Sequence, residues 1–321
     1  MRLIRNMKKQ FVTDLRAGQS VQDIFYLVGR EVRDRRDGGS FLILELTDKS
    51  GKIYGKIWDN AKTVIELAIP GNFYQITGSV KEYGGANEIA VKDLTEVPLE
   101  RIAKEDFLPT SRFNSDELLS ELKSYFNLIK NQFLAKLINN FFDDEEFVEQ
   151  FKTAPGATSV HHAYLSGLLE HTVYMLRLSQ SIEKIYPEVD YSLLLTGIIL
   201  HDVGKIKEYI YEITIDHTYE GRLLGHIVMG YEMVNAKIDQ ITDFPTELKR
   251  VLLHMILTHH GHLEFGSPKT PKFVEAFLLH ILDYTDARVM MFRDATEKNK
   301  GAKWTEYHQF LETNVYIKDQ E

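Results

Sequence analysis

Five short segments in the second half of the chain carry the residues that could do chemistry. Each contains a His or an Asp, and His201-Asp202 places the two types side by side after the apolar stretch 193–200. Burying an ionised Asp beside an imidazole is costly unless the carboxylate is paired or coordinates a cation. Imidazole and carboxylate without sulfur suit Mn, Fe, Zn, Co or Ni. The segments are 167–171 (GLLEH), 201–205 (HDVGK), 225–226 (GH), 259–261 (HHG) and 282–283 (LD).

Such a centre would favour hydrolysis of a phosphoester. Two divalent ions about 3.5–4 Å apart could share the Asp202 carboxylate, lower the pKa of a water between them and stabilise an in-line displacement at phosphorus. Lys205 supplies a cation for a phosphate, and Gly204 permits a close turn. All 12 histidines lie between His161 and His308, whereas histidines that only fill a core would scatter. The alternative is a satisfied polar network in the core. We predict catalytic roles for Asp202 and Lys205.

The elements that must position these residues are helices. Apolar residues recur at helical spacing over 115–133, for which Ser115 is the predicted N-cap. We expect an all-α domain over 156–321, preceded by a linker and helical lead-in over 101–155. The stretch 208–218 is predicted as a small β-excursion. Further helices are predicted over 133–142, 144–152, 161–185, 190–200, 223–239, 245–259 and 271–295.

The first hundred residues predict a different architecture, an OB-fold β-barrel. Three β-rich stretches, a short helix and two further β-rich stretches follow one another, separated by Gly-rich turns. A generic small barrel would give a similar pattern. The fold class is therefore α+β in two domains, with the barrel over 1–100. The β-rich stretches are 23–33, 41–47, 53–58, 73–80 and 88–94, and the helix is 60–68.

Charge and aromatic residues make the barrel a candidate for binding a single strand. The whole chain carries a net charge of −9, but residues 1–58 hold 12 Lys and Arg against 7 Asp and Glu. OB-folds stack bases on aromatic side chains along a positive groove. The alternatives are that these aromatics fill the barrel and that the cations form an ordinary solvated face. The candidate substrate-binding residues here are Phe41, Tyr54, Trp58, Arg35 and Lys56.

The order H…HD…H…HH…D from His171 to Asp283 resembles the HD-domain phosphohydrolase superfamily. Intervals of 30, 24, 33 and 23 residues separate its motifs, so each could come from a different helix. The resemblance implies that Asp202 is a bridging ligand and that Lys205 faces phosphate. Because adjacent helical residues point about 100° apart, both His259 and His260 could bind only at a helix end between the metals. The implied ligands are His171, His201, Asp202, His226, His259, His260 and Asp283.

The combination of an OB-like module with this domain is similar to the YhaM family of 3′→5′ exoribonucleases. The likeness covers about residues 20–290 and includes LELTDKSGKIYGKIWDN, VHHAYLSGLLEHT, HDVGK, GRLLGHI and LTHHG. It implies an enzyme with two divalent ions, typically Mn²⁺, that trims single-stranded RNA and often DNA from the 3′ end. It also favours a homo-oligomer. Residues 1–19 and the last twenty or so have no matching motif.

Several charged residues near the motifs are candidates for contact with substrate. His161 and His162 precede the first ligand helix, where one could contact a phosphate or, as we predict for His162, donate a proton to the leaving oxygen. Arg222 and Arg288 could hold phosphate, or they could form ordinary surface pairs. Asp286 shares a helix face with Asp283 and could orient an imidazole or be a surface acid.

Composition narrows the class of protein further. The chain has no cysteine, which excludes disulfides, thiolate zinc sites and a Cys nucleophile, and fits a cytoplasmic location. No apolar run reaches the roughly 18 residues of a membrane span, and no signal peptide is expected. Two other functions stay open from sequence. One is a phosphohydrolase of nucleotides or cyclic dinucleotides, and the other is a non-catalytic nucleic-acid-binding protein.

Overall fold

The computed structural model describes residues 7–35, 38–59, 61–159, 162–299 and 301–318. The chain forms two compact units, Met1–Pro109 and Thr110–Glu321. Their boundary falls within the stretch 101–155, where the sequence predicts a linker. Across the described ranges, no helix combines the length and apolarity needed to cross a membrane.

The first unit is a closed five-stranded barrel. Its elements are β1 (Ser20–Asp34), β2 (Ser40–Asp48), β3 (Gly51–Ile57), α1 (Ala61–Leu67), β4 (Phe73–Tyr83) and β5 (Ala86–Val97). The strand order is β1-β2-β3-β5-β4 with β4 closing on β1, and β3–β5 is a parallel pair among antiparallel ones. Leu42, Leu44 and Leu46 of β2 are fully buried while the residues between them reach the surface. This alternation makes one face of each strand the core, and it confirms the OB-fold prediction.

Residues 8–12 belong to the barrel, although no sequence motif covers them. The buried Lys8 ammonium donates to the Ile24 carbonyl oxygen at 2.6 Å, and lies 3.4 Å from Asp48 and 3.3 Å from the centre of the Phe25 ring. Asp106 accepts the Lys8 backbone N–H at 2.8 Å. Burial lowers the pKa of Lys8 against the opposing attraction of nearby carboxylates. The segment is therefore fixed to the barrel by a buried charge cluster.

The second unit is helical, with two short hairpins. Its helices are α2 (Ser115–Ser124), α3 (Gln132–Phe142), α4 (Glu145–Thr153), α5 (Gly167–Ser179), α6 (Ile182–Ile185), α7 (Tyr191–Leu200), α8 (Lys205–Glu208), α9 (Tyr219–Asp239), α10 (Thr246–Thr258) and α11 (Val274–Lys298). One hairpin joins β6 (Tyr209–Tyr211) to β7 (Ile215–His217), which confirms the predicted β-excursion. The other joins β8 (Trp304–His308) to β9 (Thr313–Tyr316) and was not predicted.

Helix α7 is the centre of the helical core. The Asp190 side chain caps it by accepting the Leu193 backbone N–H at 3.0 Å. Every residue over 193–200 is buried, and a helix that is apolar all round must lie inside other helices. Gly197 lies close to α10, where a Cβ would be 2.4 Å from Met255 Cε. This burial carries the next two residues, His201 and Asp202, into the interior.

Two predicted details at the start of the helical unit are wrong. The N-cap of α2 is Asn114, whose side chain accepts the backbone N–H groups of residues 116 and 117, and not Ser115. The predicted helix 115–133 ends at Ser124 and continues as a short 3₁₀ turn. A new helix then begins because Asn131 caps it. The asparagine caps, which compete for backbone N–H groups, set these boundaries.

Candidate metal centre

The seven predicted metal ligands lie together in the second unit, as two groups of three with Asp202 between them. Within each group the possible ligand atoms lie within 4.8 Å of one another. The first group is His171, His201 and Asp283, and the second is His226, His259 and His260. Residues from five separate parts of the sequence thus share one buried centre.

The Asp202 carboxylate turns one oxygen towards each group. Oδ2 lies 3.2 Å from His201 Nε2 and 3.9 Å from His171 Nε2. Oδ1 lies 3.5 Å from both His226 Nε2 and His259 Nε2. Asp202 itself is only 2% exposed. This is the arrangement that a carboxylate shared between two cations requires.

A break in α9 aims His226 at the centre. Gly225 has φ 72° and ψ 157°, a backbone conformation that L residues with a side chain rarely adopt, so the helix is interrupted directly before His226. Gly204 allows the two chain segments to meet, because a Cβ there would lie 2.1 Å from the His226 carbonyl oxygen. The glycine of HDVGK therefore serves close packing of α9 on the His201-Asp202 turn.

The end of α10 places two adjacent histidines at the centre. His259 directly follows the last helical residue, and its ring centre lies 4.3 Å from that of His260. Gly261 then turns the chain at φ 79°, where a Cβ would lie 2.4 Å from the His280 ring. The helix therefore ends where the sequence-based prediction requires it to end if both histidines are to be metal ligands.

Three of the five imidazoles are oriented by backbone carbonyl groups. The Nδ1 atoms of His201 and His259 each donate to the carbonyl three residues earlier, at 2.8 and 2.7 Å. The Nδ1 of His260 donates to the Phe265 carbonyl at 2.7 Å. A donated Nδ1–H leaves Nε2 with a free lone pair, the form in which a histidine binds metal.

The other two imidazoles are oriented by carboxylates. His171 Nδ1 forms a 2.6 Å hydrogen bond with Asp286 Oδ2, and His226 Nδ1 lies 3.0 Å from Glu208 Oε2 without hydrogen-bond geometry. Asp286 is 4% exposed, which places it as the buried partner of an imidazole and not as a surface acid. A carboxylate behind a ligand histidine fixes the ring and makes its other nitrogen a stronger donor.

Three buried polar atoms at the centre of the site have no hydrogen-bond partner in the described part of the chain, which fits a divalent metal. Asp202 Oδ1, His226 Nε2 and His259 Nε2 are buried, and none has a hydrogen-bond partner among the described residues. A buried polar atom without a partner costs about 1–3 kcal/mol. A core network that was only structural would not leave three such atoms facing one another. A cation bound between them would give each of the three a partner.

The charged groups of the centre favour the binding of a cation. Burial opposes the ionised form of Asp202, but Lys205 at 2.6 Å and His201 hold its pKa well below the usual range. Burial also opposes a proton on His171, yet Asp283 and Asp286 raise its pKa to about 10. The negative surroundings that stabilise that proton would equally stabilise a metal ion. Burial, with His259 beside it, lowers the pKa of His260 to about 4.

His162 is built into the wall of the centre. Its Nε2 donates to Asp286 at 2.8 Å, and its Nδ1 accepts from the Tyr164 hydroxyl at 2.9 Å. The residue is 1% exposed and has φ 57°, with Gly167 packed against its carbonyl group. Both ring nitrogens are engaged, an arrangement that favours holding Asp286 in place over the predicted donation of a proton. The neighbouring candidate, His161, lies outside the described residues.

Two predicted phosphate-binding residues do not join the centre. Arg222 is exposed and pairs with Asp216 at 2.9 Å. Arg288 donates to the Phe310 carbonyl group in the C-terminal hairpin. Both arginines therefore form surface contacts, which is the alternative that the sequence left open. Sequence reasoning missed Glu208, whose only signal is its position three residues after Lys205.

The barrel presents an aromatic face as the alternation of its strands predicts. Trp58 stacks on Phe41 with ring centres 4.7 Å apart and 17° between planes, and the Arg35 guanidinium lies 5.1 Å from the Trp58 ring. Tyr54 and Trp58 are 43% and 44% exposed. The barrel core is filled by other residues, so these rings are available to a ligand.

Three cations on this face are paired with acids, whereas Arg35 lies against Trp58. Lys56 lies 2.7 Å from Glu88, Lys52 lies 2.5 Å from Glu45, and Arg33 pairs with Glu31. All of these paired residues except Lys52 border a groove of 530 Å³. A phosphate that contacts these cations must compete with carboxylates, so the groove is less positive than the sequence count implies.

A helical unit that gathers histidines and aspartates around an H-D pair defines the class of HD-domain proteins. Residues 168–288 match the family model described as HD domain, and residues 27–97 match the one described as OB-fold nucleic acid binding domain. Among solved structures, the second OB-fold domain of replication protein A from Methanococcus maripaludis aligns with 27% of this chain and 93% of its own. Its identity is 21% and its TM-score 0.23, too low to support a conclusion.

Relatives that match nearly the whole chain identify the family. The 3′-5′ exoribonuclease YhaM of Oceanobacillus iheyensis is 34% identical over 298 residues, which are 92% of this chain and 93% of the relative. The protein of that name from Bacillus subtilis is 35% identical, covering 88% and 89% of the two chains. That from Listeria innocua is 33% identical, covering 94% and 95%. The chain belongs to the YhaM family.

Proposed function

We propose that this chain is a metal-dependent 3′→5′ exoribonuclease that shortens single-stranded RNA and releases 5′-nucleotides. The observation that carries the proposal is the pairing, in one chain, of a complete His/Asp centre with an OB-fold unit whose aromatic face is open. The polarity of cleavage comes from the relatives, which are named 3′-5′ exoribonucleases. We propose two ions at the centre, with Mn²⁺ as the physiological metal.

The residues of each group would hold one ion, and Asp202 would contact both. A bound divalent ion supplies an activated water and offsets negative charge at the phosphodiester. Asp286 and Glu208 would hold the rings of His171 and His226 in orientation. The Lys205 ammonium is buried beside Asp202. Burial opposes its charge, but the combined attraction of Asp202, Asp283 and Glu208 raises its pKa and keeps it charged at neutral pH. It is therefore placed to offset charge on a substrate phosphate.

The barrel would bind the single strand. Stacking of a base on an aromatic side chain contributes about 1–3 kcal/mol and tolerates any sequence. Tyr54 and the Phe41–Trp58 stack offer such surfaces. Because Lys52, Lys56 and Arg33 are paired with acids, we assign most of the barrel's contribution to stacking.

The proposal is tested with one RNA labelled at either end. With Mn²⁺, a 5′-labelled single strand should shorten progressively, while a 3′-labelled strand should release labelled mononucleotide from the first turnover. Asp202→Ala should abolish both reactions. Early release of a 5′-labelled mononucleotide would contradict the polarity. An RNA that stays intact across several metals while free nucleotides are hydrolysed would point to the alternative small-molecule phosphohydrolase.

A double variant separates the roles of the two units. Tyr54→Ala with Trp58→Ala should reduce kcat/KM on RNA about tenfold or more, since at least one stacking contact is lost. Hydrolysis of bis(p-nitrophenyl) phosphate, which is too small to need the barrel, should be retained. Equal losses on the two substrates would show that the barrel does not hold the strand.

A further inference from the structure

The C-terminal hairpin β8–β9 lies outside the region that matches the HD-domain family model. It packs on the end of α11, where Leu311 and Val315 bury against Ala295. Its inner residues Thr305 and Val315 are 8% and 4% exposed. The hairpin is thus an ordered part of the helical unit with one face turned to solvent.

The solvent face is aromatic because of a bulge. Trp304 is opposite Tyr316 and Tyr307 is opposite Asn314, with a register shift between the two pairs. In a regular strand, residues 304 and 307 would point to opposite faces. Residues 314 and 316 share a face, so their partners Trp304 and Tyr307 share it too. Trp304, Tyr307 and Tyr316 are 60%, 63% and 50% exposed.

Two lysines lie at the open end of the hairpin, next to this aromatic face. Lys303 and Lys318 are neighbours through the Ile317 N–H, which donates to the Lys303 carbonyl at 2.9 Å. In the part of the chain that the structure describes, neither ammonium group has a carboxylate within 4.0 Å. On the barrel, in contrast, Lys52 and Lys56 are both paired. Exposed aromatics with free cations match a single-stranded nucleic acid, whereas a second copy of the hairpin would bring the same lysines together.

We propose that the outer face of β8–β9 is a second stacking surface for the single strand, in addition to the barrel. This inference rests on the proposed function and specifies where that same substrate is held. Helix α11 carries both Asp283 of the metal centre and Ala295 beneath the hairpin. Their separation along the helix is about 18 Å, at 1.5 Å per residue. A strand with its 3′ end at the centre can therefore reach the hairpin within a few nucleotides.

The two tryptophans of the chain allow the two surfaces to be followed separately. Trp58→Phe leaves Trp304 as the only tryptophan, and Trp304→Phe leaves Trp58. Each full-length variant is titrated with oligo(U) in EDTA, so that binding is measured without cleavage. We expect the Trp304 emission of the first variant to fall on binding, because a stacked base quenches it.

Four outcomes of this titration decide the matter. A fall in Trp304 emission that saturates with oligo(U) supports the inference. Unchanged Trp304 emission with falling Trp58 emission overturns it, while the proposed function stands. If both signals are unchanged and labelled RNA is not cleaved in Mn²⁺, both proposals fail. Trp304 emission that follows protein concentration and ignores oligo(U) overturns the inference in favour of contact between copies.

A triple variant gives a second measurement. Trp304→Ala with Tyr307→Ala and Tyr316→Ala should weaken oligo(U) binding about fivefold or more. The matched control is Phe277→Ala, which removes an aromatic that is 53% exposed on the outer side of α11, and it should leave affinity unchanged. Circular dichroism and Mn²⁺ binding verify that the triple variant is folded. Equal affinity of the triple variant and the control would overturn the inference.

Discussion

At the scale of single residues, the centre depends on how each imidazole is held as much as on its presence. Every candidate histidine ligand has Nδ1 directed at a carbonyl or a carboxylate, so each Nε2 points into the same space. Asp202 then offers one oxygen to each group. The buried atoms that have no hydrogen-bond partner within the described ranges, where the two groups meet, are the reason, at this scale, to assign a metal.

The first prediction tests the role of Asp286. Asp286→Asn removes the negative charge beside His171 and His162 while keeping one oxygen that can accept a hydrogen bond. We expect Mn²⁺ affinity to fall about 10–100-fold, the usual effect of losing such a partner. Isothermal titration calorimetry measures this directly. Asp294→Asn, on the same helix and without contact to a ligand histidine, is the control. Equal affinities for the two variants would remove Asp286 from the site.

At the scale of elements, the chain reaches the centre through helix ends and one helix break. Helix α7 is buried all round and delivers His201-Asp202, α10 stops at its two histidines, and α9 is interrupted before His226. The other two ligands, His171 and Asp283, come from within the regular helices α5 and α11.

The second prediction concerns the break in α9. Gly225→Ala places a Cβ on a backbone with φ 72° and ψ 157°, at a cost of about 1–3 kcal/mol, and relief of that strain would move His226. We expect a lower free energy of unfolding and weaker Mn²⁺ binding in the same variant. Val228→Ala, at an exposed position of the same helix, should change neither. A Gly225→Ala protein with parental metal affinity would contradict the role given to the break.

The third prediction concerns the segment that precedes β1. Lys8→Ala leaves the buried Asp48 without the ammonium group that lies 3.4 Å away, and breaking a buried pair costs about 3–5 kcal/mol. Urea unfolding of this variant should show that loss in the barrel. Lys9→Ala, an exposed neighbour, is the control and should be within about 0.5 kcal/mol of the parent. A small effect at Lys8 would mean that water replaces the lysine.

At the scale of the whole molecule, the candidate metal ligands lie in one unit, whereas the proposed surfaces for the strand lie in both. All seven candidate ligands lie in Thr110–Glu321, and the OB-fold lies in Met1–Pro109. A ligand stabilises only the cooperative unit that binds it in the native state. The two units should therefore respond differently to metal.

The fourth prediction follows from this division. In calorimetry, Mn²⁺ should raise the unfolding temperature of one transition and leave the other unchanged. At a free concentration of 100 times Kd the stabilisation is about 2.7 kcal/mol. EDTA should reverse the shift, and Asp202→Ala should prevent it. Two transitions that rise together in the parent protein would show that the units unfold as one.

The sequence by itself determined the two architectures and the ligand types. Strand alternation and helical spacing are local, so they can be read along the chain. Which histidines and aspartates meet was implied by the resemblance of their order to that of HD-domain phosphohydrolases. The tertiary structure decided the rest. Glu208 and Asp286 become partners of imidazoles only when separate helices pack, and Arg222 and Arg288 find surface acceptors instead of the centre. The pairing of Lys56 with Glu88 depends on strand register. These contacts join residues far apart in the chain, and short-range pattern contains no information about their distance.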